Sequence, residues 1–196
     1  MKGLLVILSS PSGGGKTSVI YRIIEKYDGN FVYSISATTR QPRPGEKNGK
    51  DYFFLTQQEF EDQIKKDLLL EWEQVHGYCY GTPKSYVEQA IAAGKFVLLD
   101  IDVNGALQIA HKFPQNTLTI FVAPPSLDEL IQRLRNRKTD SENEINKRLE
   151  RIPVEMEQSK RFDYVVINEK LENTVAEIVK IIKTNQKKNL VSDHLE

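Results

Sequence analysis

The chain has 196 residues, 39% hydrophobic and 28% charged, with 27 basic and 27 acidic side chains and a formal net charge of zero. This length suits one substantial core with a small appended unit, and the neutral balance supplies no bulk field to attract nucleic acid or an anionic membrane surface. No apolar run approaches the ~18 residues of a membrane span and the first residues lack a signal-peptide pattern, so a cytoplasmic protein without nucleic-acid or membrane partners is expected.

The first stretch, LLVILSSPSGGGKT (residues 4–17), pairs an unbroken apolar run with a Gly-rich turn and a Lys-Thr pair. Leu4 to Leu8 suits a buried parallel strand, and Val19, Ile20, Ile23 and Ile24 have the spacing of a helix that follows the turn. Gly13, Gly14 and Gly15 can gather backbone N–H groups around phosphate oxygens, Lys16 adds a point charge for the β- and γ-phosphates, and the Thr17 hydroxyl suits Mg²⁺. Ser10 stands where this motif usually has Gly or Ala, a departure that bears on turn geometry and not on the phosphate ligands.

The helix runs from Lys16 to about Tyr27 and stops at Asp28-Gly29-Asn30, and Phe31 to Ile35 reads as a second strand, so the start is a βαβ unit. Ser36 to Phe54 reads as an ordered loop in which Pro42 and Pro44 stiffen the backbone around Arg43. Thr56 and Glu59 form a capping box for a helix with Phe60, Ile64 and Leu68 on one face. Leu68 to Val75 is a strand interrupted by Glu71, a residue open to two readings, a solvated face or a ligand acceptor. Gly77 to Ser85 reads as a turn, with Thr82 as N-cap and Pro83 as first residue of a helix ending at Gly94. The single cysteine, Cys79, can form no internal disulfide, and with His76, His111 and His194 scattered it makes no plausible zinc site.

Lys95 to Ile101 is a buried strand ending in Asp100, with Asp102 two residues on. An Asp at this edge reaches Mg²⁺ in phosphate-loop sites, while Asp102 also suits a cap for the helix Val103 to His111. Thr117 to Val122 is a further strand. Ser126 with Glu129, and Ser141 with Glu144, read as caps of two helices rich in charge. Arg133 and Arg137 share one helix face and Arg148 and Arg151 another, so the two pairs could converge on one anion as a closing lid. Tyr164 to Ile167 is the last strand, ended by Asn168, and Leu171 to about Gln186 a last helix with Leu171, Val175, Ile178, Val179 and Ile182 inward.

Five stretches in this order, SSPSGGGKT (9–17), SATTRQPRPGEKNGKDYFF (36–54), LLEWEQVHGYCYGT (69–82), LLDID (98–102) and RLRNRKTDSENEINKRL (133–149), give the chain a strong resemblance to the guanylate kinase family, which moves a phosphoryl group from ATP to GMP. The resemblance implies a single α/β domain of the P-loop nucleoside-monophosphate-kinase fold. It has a parallel sheet core flanked by helices (1–35, 89–125 and 162–196), an inserted GMP-binding lobe (36–88) and a helical lid (126–161). It further implies that Arg40, Arg43, Tyr52 and Tyr80 hold the GMP phosphate, with Glu46 orienting the arginines. Ser36, Glu71 and Thr82 would meet the guanine, Pro11 to Thr17 the ATP phosphates, and Asn168 the adenine. Arg133, Arg137, Arg148 and Arg151 would close over the transferring group, with Lys16 and Arg43 also in catalytic roles. Asp100, Asp102 or both would complete the guanine and Mg²⁺ contacts, duties the sequence does not divide between them. The substrates so implied are ATP and GMP, with Mg²⁺. The choice between GMP and dGMP and the oligomeric state stay open. A non-catalytic phosphopeptide-binding module of the same family is the alternative, and Lys16, Thr17 and the four lid arginines argue against it.

Overall fold

In the computed structural model, which describes residues 3–27, 29–75, 77–136 and 142–192 (only the backbone of 143, 144 and 187–192), the first apolar run forms strand β1, Leu4–Ser9, with all six residues buried. Its neighbours are parallel strands on both sides, β7 (Phe96–Asp100) and β8 (Thr117–Ala123). With β2 (Phe31–Ser34) and β9 (Tyr164–Ile167) they build a five-stranded parallel sheet in the order β2-β7-β1-β8-β9.

The continuous hydrophobicity of β1 follows from cover on both faces. Leu4, Val6 and Leu8 pack with Val19, Ile20 and Ile23 of helix α1 (Lys16–Lys26) and with Val175, Ile178 and Ile182 of the C-terminal helix (Leu171–Ser192). Leu5 and Ile7 point the other way, into a cluster with Val87, Val103, Ala106 and Ile109. Those residues lie on helices Lys84–Ala92 and Val103–Lys112. Leu171, expected inward, is 38% exposed at the first position of its helix.

A second, four-stranded sheet stands apart from the first. It contains β3 (Ala37–Thr38), β4 (Phe53–Phe54), β5 (Leu69–Val75) and β6 (Tyr78–Pro83) in the order β4-β3-β6-β5. Helix α2 (Gln57–Lys65) closes it through Phe60, which is fully buried with Ala37, Leu69 and Cys79. The capping box forms as expected: Thr56 Oγ1 accepts from Glu59 N at 3.2 Å and Glu59 Oε2 from Thr56 N at 2.7 Å. Leu68 does not join the face of Phe60. Asp67 takes φ +52° after the helix, and Leu68 is left 48% exposed.

The segment expected as a turn, Gly77 to Ser85, is mostly strand β6, paired antiparallel with β3 and β5. Thr82 is consequently not an N-cap. The helix α3 (Lys84–Ala92) starts two residues later, with Pro83 at its cap position, and the Thr82 side chain is turned into the sheet's neighbourhood, toward Glu71.

After α4 (Val103–Lys112) and β8, the chain leaves the main sheet through α5 (Leu127–Asn136), α6 (Glu142–Leu149) and α7 (Ile152–Gln158). A 3-10 turn, Ser159–Arg161, leads back into β9, and α8 (Leu171–Ser192) ends the chain's described part. Ser126 Oγ accepts from Glu129 N at 3.2 Å, while the Glu129 carboxylate turns to Arg133 Nη2 at 2.6 Å. The cap expected from Ser141 and Glu144 lies outside the described side chains.

Candidate active site

At the carboxyl edge of the parallel sheet, the loop between β1 and α1 folds back on itself. Gly13 and Gly15 both take positive φ, +90° and +93°, which side chains would strain. Gly14 N donates to Pro11 O at 2.9 Å. A Cβ on Gly14 would come 2.8 Å from that of Ser10, so the serine fits where the motif usually has a smaller residue because position 14 carries no side chain. The Ser10 hydroxyl donates to Pro11 O at 2.9 Å. Helix α1 begins at Lys16 with no side-chain cap on Gly15, which leaves its first N–H groups directed at the loop mouth, where an anion is favoured. Lys16 Nζ lies 3.3 Å from Asp100 Oδ1, and the Thr17 hydroxyl donates to Asp100 Oδ2. Asp102, two residues on, has a different place: its Oδ1 accepts from Asn104 N at 2.8 Å and Gly105 N at 3.0 Å and caps α4.

Facing this loop across one cleft of about 620 Å³ stands a second set of groups carried by the smaller sheet and the loop 39–52. Arg40 and Glu46 form a two-pronged ion pair, with Nη1 at 3.0 Å and Nη2 at 2.9 Å. The same carboxylate accepts from Arg43 N at 2.6 Å. Burial would raise Glu46, but the Arg40 guanidinium and the Arg43 N–H outweigh it and hold the carboxyl below its ordinary range. The Arg40 guanidinium also lies over the Tyr52 ring, 5.2 Å from its centroid, and the Tyr52 and Tyr80 rings meet edge to face at 6.2 Å.

Between the glycine loop and the Arg40–Glu46 pair lies a polar floor. Glu71 is only 5% exposed, and its Oε1 accepts from Thr82 Oγ1 at 2.6 Å. Burial pushes its carboxyl up to about 7, the Thr82 bond works against that shift, and the charges of Asp102 and Glu73 add to it. Ser36 Oγ is buried in the same wall with no partner among the described residues. From the other end, α6 brings Arg148, whose Nη1 donates to Ser12 Oγ at 2.6 Å, and Arg151 lines the cleft 3.9 Å from Glu155.

The chain as a whole has relatives. A family model described as guanylate kinase matches residues 2–185. The chain belongs to the guanylate kinase family. It is 46% identical over 188 residues to the guanylate kinase of Thermotoga maritima, covering 96% of this chain and 90% of that one. It is 48% identical over 181 residues to that of Bacillus subtilis, covering 92% and 88%. A crystal structure of guanylate kinase from Anaplasma phagocytophilum superposes with a TM-score of 0.78 at 33% identity, covering 94% of this chain and 87% of that one.

Most of the residues that the guanylate kinase resemblance singles out do meet in the cleft: Ser12, Gly13, Gly15, Lys16, Thr17, Ser36, Arg40, Arg43, Glu46, Tyr52, Glu71, Tyr80, Asp100, Asp102, Arg148 and Arg151. Others stand behind its wall. Pro11 and Gly14 shape the loop, and Thr82 backs Glu71. Asn168 does not face the cleft: its Nδ2 donates to Gly14 O at 2.9 Å and its Oδ1 accepts from Thr174 at 3.1 Å. In this arrangement it braces the phosphate loop. Arg133 is likewise turned away, donating to Glu129 Oε1 at 2.6 Å and to Asn168 O at 3.0 Å. Arg137 lies outside the described residues.

The cleft also contains Tyr21, Tyr33, Asp51, Lys147 and Glu155, which sequence reasoning missed. Each is one residue on a regular helix or strand, or in a loop read for its arginines, and carries no local signal. Tyr33 is pushed far up by burial and Tyr21 up by burial and Asp51, so both phenols stay protonated donors.

Proposed function

We propose that the protein transfers the γ-phosphoryl group of ATP to GMP, forming ADP and GDP, and so serves guanine nucleotide synthesis and GMP recycling in the cytoplasm, where its nucleotide substrates are found. The carrying observation is that two anion-handling stations face each other across one cleft, with a buried carboxylate between them. Family membership supports the same reaction.

In this reading the loop from Pro11 to Thr17 receives the β- and γ-phosphates of ATP, and Lys16 exchanges its contact with Asp100 for phosphate oxygens. Arg40, Arg43, Tyr52 and Tyr80 receive the GMP phosphate, with Glu46 holding both arginines in place. The guanine N1–H and exocyclic amine donate to Glu71 and its O6 accepts from the Ser36 hydroxyl, while Thr82, whose proton goes to Glu71 Oε1, holds the carboxylate from behind. Adenine would present an acceptor to Glu71 and leave buried polar groups unpaired, which supports selection of GMP over AMP.

The donor set of Thr17 and Asp100, one hydroxyl and one carboxylate oxygen, suits Mg²⁺, which is content with one or two protein oxygens beside phosphate and water. When bound there it would neutralise charge on the ATP phosphates. The same geometry favours Asp100 for that duty and leaves Asp102 to fix α4. The GMP phosphate oxygen is already an anionic nucleophile, so no general base is needed. Catalysis then rests on alignment and on charge stabilisation by Lys16, Arg43, Arg148 and Arg151, with Arg133 and Arg137 joining on closure of the proposed lid 126–161.

The test is a coupled assay of ADP formation with ATP, Mg²⁺ and, in separate reactions, GMP, AMP, CMP or UMP. Turnover with GMP alone is expected. Equal turnover with AMP, or none with any acceptor from folded protein, would overturn the reading.

A further inference from the structure

Helix α4 begins directly behind Glu71. Asp102 pins its first turn, and Asn104 Nδ2 donates to Glu73 Oε1 at 2.8 Å. At the next position, Gly105, an added Cβ would lie 2.9 Å from Glu71 Oε2 and 3.4 Å from Glu71 Cδ, the next neighbour being Ile101 Cδ1 at 3.8 Å. Gly105 lies within the helix and outside the positive-φ region, so nothing in its backbone calls for glycine. Alanine there would be the better helix former. What the glycine does provide is room for one particular oxygen.

The carboxylate is thus boxed from two sides. Thr82 Oγ1 holds Oε1 at 2.6 Å, and the bare backbone of Gly105 admits Oε2. We propose that Gly105 is a positioning residue that sets guanine specificity, the space of its missing side chain seating the Glu71 carboxylate in register with the base. This rests on the reading above that Glu71 accepts from guanine. A methyl group at 105 meets the end of a flexible side chain and not backbone, so the protein folds and the carboxylate moves. Two hydrogen bonds to one planar edge tolerate little displacement. The loss therefore falls on recognition of the base and not on phosphoryl transfer.

Gly105→Ala is compared with the wild type in steady-state assays with GMP and with inosine monophosphate, which lacks the exocyclic amine. The GMP KM is expected to rise about tenfold, equivalent to about 1.4 kcal/mol, with kcat and the ATP KM unchanged. The KM for inosine monophosphate rises less, so the preference for GMP narrows. A double-mutant cycle with Glu71→Asp, which withdraws the carboxylate by one methylene, carries the second readout: shortening costs less GMP affinity in the Gly105→Ala background than in the wild type. Thermal melts accompany each variant, because simple destabilisation would lower the active fraction without changing the choice between the two acceptors. A wild-type GMP KM in Gly105→Ala, or equal costs of Glu71→Asp in both backgrounds, overturns the proposal. Glu71→Gln separates the two layers. If its GMP KM is unchanged, the guanine reading itself fails, and if that KM rises while Gly105→Ala stays normal, only the role of Gly105 falls.

Discussion

Glu71 is a carboxylate kept near its titration point by its surroundings. Burial is the largest cause, and among the charged groups around it Asp102 and Glu73 push in the same direction while Lys112 pulls back. A folded-state value of about 7 against an unfolded value near 4.3 means that the folded chain binds the proton more tightly. Stability from this group therefore falls as pH rises from about 4.3 to about 7 and is level above that. Guanine seated on Glu71 as proposed would reverse the balance, since its two donors favour the ionised form. GMP binding at pH 6.5 should expel a proton from Glu71, and affinity should weaken below about pH 7. Calorimetric titrations in two buffers of different ionisation enthalpy should register more proton release from the wild type than from Glu71→Gln; equal release would refute the prediction. Glu46 has the opposite character: its depressed carboxyl gives stability that is present above the unfolded value and lost as pH falls through the folded one.

Among the elements, two hydrogen-bonded devices invite comparison because one touches the site and one does not. Asn168 ties the start of α8, through Thr174, to the phosphate loop, through Gly14 O. Asn168→Ala would strand that carbonyl and cost about 1–3 kcal/mol, and because the loop is released, the ATP KM should rise as well. Thr56→Ala removes the cap of α2 at a cost of about 1 kcal/mol and should leave both substrate KM values alone. Urea titrations with parallel kinetics check the pair, and a kinetic effect from Thr56→Ala, or none from Asn168→Ala, would contradict it.

These elements also mark where local sequence informs structure. β1 is legible because both its faces are covered, so hydrophobicity runs unbroken and the glycine turn follows at once. The Thr56 capping box is complete within four residues and needs no tertiary partner. β6 is not legible, since Gly77, Gly81 and Pro83 spell a turn and only pairing with β3 and β5 makes it a strand. Thr82 followed by Pro83 looks like a helix start until Glu71, eleven residues back, takes the hydroxyl. In the cleft, spacing points to the glycine loop with Lys16 and Thr17, the family resemblance of their stretches points to the other motif residues, and Lys147 and Glu155 arrive there by helix packing alone. Gly105 did leave a trace, an isolated glycine inside a helical pattern.

At the scale of the whole molecule, the main sheet with its helices presents the phosphate loop, the smaller sheet presents the arginine pair, and α6 and α7 reach over from the side. The Arg148 to Ser12 bond shows the third part already touching the first. If closure over both nucleotides is needed to align the phosphates, water gains little access to the γ-phosphoryl group. ATP hydrolysis without GMP should then run at least about 100-fold slower than transfer to GMP. Phosphate release measured with ATP and Mg²⁺ alone checks this, and rapid release would show that the chemistry does not wait for the acceptor.

The smaller sheet has its own core of Ala37, Phe60, Leu69 and Cys79, and this makes it look like a cassette that could be exchanged between related kinases to alter the acceptor base. The contact between Gly105 and Glu71 argues otherwise. The strand that carries the carboxylate belongs to the cassette, but the surface against which it rests belongs to a helix of the main sheet, more than thirty residues later in the chain. A transplant ending at β6 would carry the arginines and tyrosines proposed to grip a phosphate and leave behind half of the mould proposed for the base. Such a chimera would bind nucleoside monophosphates with poor discrimination until the first turn of α4 travelled with it.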